Sequence, residues 1–247
     1  MFTVEQRDAL RERVLELAKA DERVVAGAAI GSLALGGGDE YSDLDLTFAV
    51  SDVAAVSEVL DDWSVTLADE LAAVRLVDLE RAPTIYRVFL LPDALQFDLS
   101  LTPAARFAPA GPRWRTLFGE IAEEHVRTPT PPDAGDLFGW GIIYALHART
   151  CIDRERVWQA EHYVAGVRDH ALSLACLRHG LPAVQARGYD DLGGDVLAQF
   201  EGTHIASLDA DVLQGALAAS VEALLREAKE AGVASVDVVR ERMRGRV

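Results

Sequence analysis

Cysteine is nearly absent, with only Cys151 and Cys176 in 247 residues. Two thiols make no disulfide framework, and neither has a Cys or His neighbour at zinc-binding spacing, so both are expected to be reduced residues that pack helices. Long hydrophobic runs are missing too. The longest, Val24 to Leu35, is broken by glycine and falls short of the ~20 residues that span a bilayer. The first residues, Met-Phe-Thr-Val-Glu-Gln-Arg, mix acid and base without the apolar stretch of a signal peptide, so a cytoplasmic location is expected. Basic residues are scarce: 24 Lys and Arg face 40 Asp and Glu, a formal net charge of −16. Nucleic-acid affinity is built on Lys and Arg contacts to phosphates, so this balance disfavours a nucleic-acid partner and instead attracts cationic small molecules. What remains is an ordinary globular composition, half hydrophobic and about a quarter charged, long enough for one large domain or two small ones.

Thr3 and Gln6 fit a capping box at the start of an amphipathic helix whose apolar face includes Leu10, Val14 and Leu17. Val24 to Ile30 reads as a buried strand ending at Gly31-Ser32, where a helix could begin. After the glycines 36–38, Asp43-Leu44-Asp45-Leu46-Thr47-Phe48 alternates polar and apolar, as a half-buried strand does. A helix is expected over 53–73, a strand over Val74–Leu79, and a hairpin from Ile85–Leu91 and Leu95–Leu101 across Pro92-Asp93-Ala94. Prolines then crowd between Pro103 and Pro132, which marks loops and a domain boundary near 128–135. Beyond it no strand is expected. Helices are read over 136–150, over 154–179 with Asp153 as cap and Gly180 as stop, and over about 209–231 with Gly232 as stop. The expectation is an α+β protein: residues 1–130 with a small mixed sheet flanked by helices, and residues 131–247 as an all-helical bundle.

Three features of the first part coincide. Gly31-Ser32 closes an apolar strand; ten residues separate Ser32 from Asp43, with Asp45 two positions on; and Asp98 interrupts a later apolar strand. Side chains at i and i+2 of a strand share a face, roughly 7 Å apart along the backbone, so Asp43 and Asp45 can converge. Asp98 from a neighbouring strand would complete an all-oxygen site of the kind Mg²⁺ prefers. Two such ions about 3.5–4 Å apart clamp the attacking and leaving oxygens of a phosphoryl displacement. Gly31 lets the backbone approach a triphosphate, and the Ser32 hydroxyl can bind its oxygens. Asp-x-Asp alone is ordinary acidic surface. A carboxylate inside an apolar strand is not, because burying it unpaired is costly, and three crowded acids repel one another unless something cationic sits between them.

This ordered set, Gly31-Ser32, Asp43-Leu44-Asp45 and Asp98 in Phe-Asp-Leu, resembles the signature of the DNA polymerase beta-type nucleotidyltransferase superfamily, over roughly residues 24–101. An acidic two-domain chain with a helical second half is, within it, similar to the antibiotic nucleotidyltransferases that modify aminoglycosides or lincosamides. Trp158-Gln159-Ala160-Glu161-His162-Tyr163 and Arg187-Gly188-Tyr189-Asp190-Asp191-Leu192 add to that likeness. The resemblance implies an enzyme: a Mg²⁺-dependent adenylyltransferase that moves AMP from ATP to a hydroxyl of a small, cationic, aminoglycoside-like acceptor and releases pyrophosphate. It implies Asp43, Asp45 and Asp98 as metal ligands and Gly31 and Ser32 as nucleotide-binding residues. Asp98 or Glu161 would be the base that takes the acceptor proton. Arg168, seven residues beyond Glu161 and so on the same helical face, would contact the triphosphate. Two other readings stay open: a toxin–antitoxin nucleotidyltransferase acting on RNA or protein, and a non-catalytic nucleotide sensor. His147, His170 and His179 lack ligand spacing, and the four tryptophans read as core or interface, with Trp140 or Tyr163 able to stack on a substrate. Asp190 and Asp191 could meet a cationic drug or merely solvent.

Overall fold

The computed structural model describes residues 2–36, 38–109, 111–122 and 130–244; Gly37 of the glycine triplet and residues 128 and 129 of the expected boundary lie outside the described residues. The chain divides into two compact units, residues 1–129 and 130–247.

The first unit opens with α1 (Val4–Ala20), whose Thr3–Gln6 capping box is formed as the sequence predicts. Six strands follow: β1 (Val24–Ile30), β2 (Leu44–Val50), β3 (Val74–Arg81), β4 (Thr84–Leu90), β5 (Gln96–Pro103) and β6 (Trp114–Phe118), with α2 (Val56–Leu71) between β2 and β3. They form one sheet in the order β3-β4-β5-β2-β1-β6. The sheet is mixed because α2 and the β3–β4 hairpin intervene between β2 and β5, and these two central strands therefore run parallel. All other pairings are antiparallel.

Alternation sorts the side chains by face. Leu44, Leu46 and Phe48 of β2 and Phe97, Leu99 and Leu101 of β5 point into one core with Leu10 and Val14 of α1 and Leu60, Trp63 and Leu67 of α2. The intervening positions, Asp45 and Asp98 among them, point to the opposite face. Trp63 sits fully buried against Phe48 at 5.3 Å, edge to face, and its indole N–H donates to Asp21 at 3.0 Å. Arg87, equally deep on β4, donates to Asp78 on β3 and to Asp61 and the Leu60 carbonyl on α2, tying helix to sheet.

Two local expectations are corrected in this unit. Strand β6 was not read from the proline-rich stretch; its five residues gain their order by pairing with β1, where Phe118 aligns with Gly27 and Trp114 with Ile30. Gly31-Ser32 opens a 3-10 turn over Gly31–Leu35 instead of an α-helix, because Gly36 turns left-handed (φ 73°) and closes it.

The second unit is helical among its described residues: α3 (Ala134–Asp153), α4 (Val157–Arg178), the short α5 (Gly194–Leu197) running into a 3-10 turn, α6 (Ala210–Glu230) and α7 (Val236–Met243). The stripe Ala160, Val164, Val167, Ala171 and Leu174 of α4 is buried against Leu213, Leu217, Val221 and Leu224 of α6 and against α3. Asp153 belongs to the last turn of α3 and does not cap α4, since the chain turns between the helices through Glu155 at φ 57°. Cys151 and Cys176 are free and buried, on α3 and α4. Trp140 and Trp158 are exposed and belong to no core. No helix among the described residues is long and apolar enough to cross a membrane.

Candidate functional site

The parallel pairing of β2 with β5 sets Asp45 directly opposite Asp98. Residues opposite one another in adjacent strands point to the same side of the sheet, about 4.8 Å apart at the backbone. Asp43 joins them from the chain just ahead of β2. A carboxylate oxygen from each of Asp43, Asp45 and Asp98 lies within 4.8 Å of the others, and all three side chains are half-buried. Acids distant in sequence thus meet at one point.

The first laddered residue of β2 is Leu44, and Asp43 stands immediately before it, two positions from Asp45. Its position is set by the turn that delivers it. In that turn Tyr41 N–H and the Ser42 hydroxyl both donate to Asp39 Oδ1, at 3.1 and 2.9 Å.

Electrostatics at the centre follow from this crowding. Burial raises the Asp98 carboxyl above its ordinary range and the nearby charge of Asp43 adds to the rise, while the Gln96 amide, donating to Asp98 Oδ1 at 2.9 Å, works against it. Gln96 was not singled out in the sequence; the signal for it was its place two residues before Asp98 on the same strand face.

Gly31 lies against this cluster. Its φ is +71°, and a Cβ built on it would strike Asp45 Oδ2, so this position requires glycine both for the turn and for room beside the acid. The neighbouring Ser32 hydroxyl is buried and has no hydrogen-bond partner among the described residues. A buried hydroxyl left unmatched in a folded protein invites a ligand or water to satisfy it. The donor set therefore fits a hard divalent cation: three carboxylates, no nitrogen or sulfur, and half-burial that withholds water from charges which repel each other.

Glu161 and Arg168 lie on α4 of the second unit, both half-buried, and Arg168 is engaged by its neighbour Asp169 at 3.1 Å. Arg168 also lines a groove of about 450 Å³ with Leu172, Tyr189, Asp190, Phe200 and His204. Tyr163 is packed between Tyr144 and His147, at 5.4 and 5.1 Å between ring centres. His179 ends α4, as its place before Gly180 suggests.

No family model matches the chain, and no curated protein matches it in sequence. Among solved structures it is similar to an aminoglycoside 6-adenyltransferase from Bacillus subtilis, at 13% identity and a TM-score of 0.43, over 94% of either chain. It is also similar to a nucleotidyltransferase-like protein from Exiguobacterium sibiricum, at 14% identity and a TM-score of 0.42, over 96% of this chain and 80% of the other.

Proposed function

We propose that this chain is a Mg²⁺-dependent nucleotidyltransferase that moves a nucleoside monophosphate, AMP from ATP, to a hydroxyl of a small molecule. The observation that carries the proposal is the convergence of Asp43, Asp45 and Asp98 on one point beside Gly31 and Ser32. In the reaction the acceptor oxygen bonds to the α-phosphorus, the bond to the β-phosphate oxygen breaks, and pyrophosphate leaves with the electron pair. A divalent cation held by the three carboxylates would supply Lewis-acid stabilisation of the phosphoryl oxygens.

The rest falls to the chain. Gly31 keeps the backbone thin beside Asp45, so that phosphate oxygens can approach the acids, and the Ser32 hydroxyl donates to one of them. The acceptor proton goes to a carboxylate. Asp98 is the first candidate, since its carboxylate lies in the cluster beside which the acceptor would meet the α-phosphate. Glu161 is the second candidate base and Arg168 a candidate contact for the triphosphate, both contributed by the helical unit, which we assign to the acceptor. The net charge of −16 favours a polycationic acceptor of the aminoglycoside kind, steered by long-range attraction, and works against an RNA acceptor. Two free, buried thiols and ATP as donor support a cytoplasmic site of action.

The test is to incubate the full chain with labelled ATP, Mg²⁺ and a panel of aminoglycosides and lincosamides and to follow pyrophosphate release. Transfer of label to a small acceptor, lost in Asp43→Asn and Asp45→Asn while the fold is kept, is expected. ATP binding without transfer to any small molecule, RNA or protein would replace the enzyme with a nucleotide sensor.

A further inference from the structure

The geometry points to Arg7 as the residue that positions Asp43 for cation binding. This rests on the metal-site reading above and adds to it a residue of α1 that touches neither metal nor substrate. Arg7 is 4% exposed, one of two arginines buried to this degree among the described residues. The other, Arg87, meets carboxylates. Arg7 meets main-chain carbonyls instead: its Nη1 donates to Asp39 O at 2.6 Å and to Ser42 O at 2.8 Å. It forms no ion pair among the described residues, and its Nε is buried without a partner. A buried guanidinium so placed is expensive in a fold that could have used an apolar residue there. The two carbonyls it clamps bracket a single turn, and the next residue is Asp43.

The turn needs such a clamp. Asp45 and Asp98 are fixed by the β2–β5 ladder, whose register begins at Leu44 opposite Phe97. Asp43 stands outside that ladder. Its backbone is held by what precedes it: the Ser42 N–H to Asp39 O bond, the Asp39 N–H to Ser42 Oγ bond, the bonds accepted by Asp39 Oδ1, and Arg7 gripping both ends from below. Without the clamp the turn regains backbone freedom that cation binding must then remove. Residues one layer behind metal ligands typically change metal affinity ten- to a hundredfold.

The experiment measures Mg²⁺ binding to the full chain by titration calorimetry, and turnover as a function of Mg²⁺ concentration. Five proteins are compared: wild type, Asp45→Asn, Arg7→Gln, Arg7→Met and Arg87→Gln. Arg7→Gln is expected to bind Mg²⁺ about ten- to a hundredfold more weakly, with turnover restored at high Mg²⁺. Arg7→Met, which keeps the apolar stem and removes both bonds without leaving a buried charge, is expected to weaken Mg²⁺ binding in the same direction. This variant carries the test should Arg7→Gln fail to fold. Arg87→Gln, which loosens an equally buried arginine of the same unit, is expected to lower thermal stability and leave Mg²⁺ affinity at the wild-type value.

Wild-type Mg²⁺ affinity in a folded Arg7→Gln or Arg7→Met, with binding lost in Asp45→Asn, would overturn the role of Arg7 and leave the metal site standing. Equal weakening in Arg87→Gln would overturn it too, by reducing the effect to general destabilisation. Identical isotherms for wild type and Asp45→Asn would instead remove the metal site itself, and the clamp with it.

Discussion

Replacing Asp98 by asparagine should make the protein more stable and inactive at once. Three carboxylate oxygens lie within 4.8 Å of one another. At that distance two unit charges repel by about 0.9 kcal/mol in a water-like medium and by about 3.5 kcal/mol at an effective dielectric of 20. Half-buried Asp98 lies between these limits and faces two such neighbours. Asparagine keeps the shape of the side chain, and its amide oxygen can still accept the Gln96 N–H now at 2.9 Å. The substitution therefore removes repulsion and the cost of burying a charge while sparing the packing around it, a gain of about 1–3 kcal/mol, or roughly 3–10 °C in unfolding temperature for a chain of this size.

The same change removes one cation ligand. Wild type should gain stability when Mg²⁺ is added, by about 2.7 kcal/mol at a hundredfold excess over the dissociation constant, and Asp98→Asn should gain much less. Thermal unfolding in EDTA and in Mg²⁺, paired with pyrophosphate release, reads all three quantities. If Asp98→Asn were no more stable than wild type in EDTA and kept the full response to Mg²⁺, the acids would not be a coupled cation site and the mechanism built on them would fall.

Further consequences follow from other contacts. Gly31→Ala drives a methyl group into Asp45 Oδ2 at a left-handed φ, and should lower Mg²⁺ affinity and turnover together, at about 1–2 kcal/mol of backbone strain visible in unfolding. Glu161→Gln separates the two candidate bases: a large fall in kcat with little change in the KM for ATP assigns proton transfer to Glu161, and unchanged kinetics assign it to Asp98. Asp21 is held down to about 2, first by its hydrogen bonds from Arg23 and then by the Trp63 indole. Its stabilising contribution is thus present above the ordinary Asp pKa near 4 and fades as pH falls toward 2, so Asp21→Asn should destabilise at pH 7, by about 2 kcal/mol, and not near pH 2. Denaturant titrations at several pH values would show whether the difference closes. Trp63→Ala removes a fully buried indole and its bond to Asp21, and should cost about 3–5 kcal/mol, read as a lowered unfolding midpoint in denaturant.

Why some of this was legible in the sequence and some was not follows from where each residue takes its order. Helices α4 and α6 declare themselves because each buries a stripe, and burial leaves a period that can be counted; β2 and β5 show an alternation although most of their positions on both faces are buried. Asp98 stood out for another reason, as a carboxylate inside an otherwise apolar run, where burial without a partner is costly. Strand β6 left no such trace. Two of its five residues are exposed, and its order comes from β1, which is distant in sequence and contributes a row of Ala and Gly with little character of its own. The 3-10 turn after Ile30 was likewise hidden, since Gly-Ser opens a helix and a tight turn equally well.

Arg7 is the sharpest case. In sequence it is one more charge on an amphipathic helix, and its neighbours α1 and the turn at 39–42 are linked by no periodicity at all. Only the fold brings a guanidinium beneath two carbonyls thirty-two and thirty-five residues away. The acids themselves could be picked out because their chemistry needs particular side chains in a particular order. The residue that aims one of them acts through main-chain atoms, which every residue possesses, and so it leaves no mark on the sequence of the turn it holds.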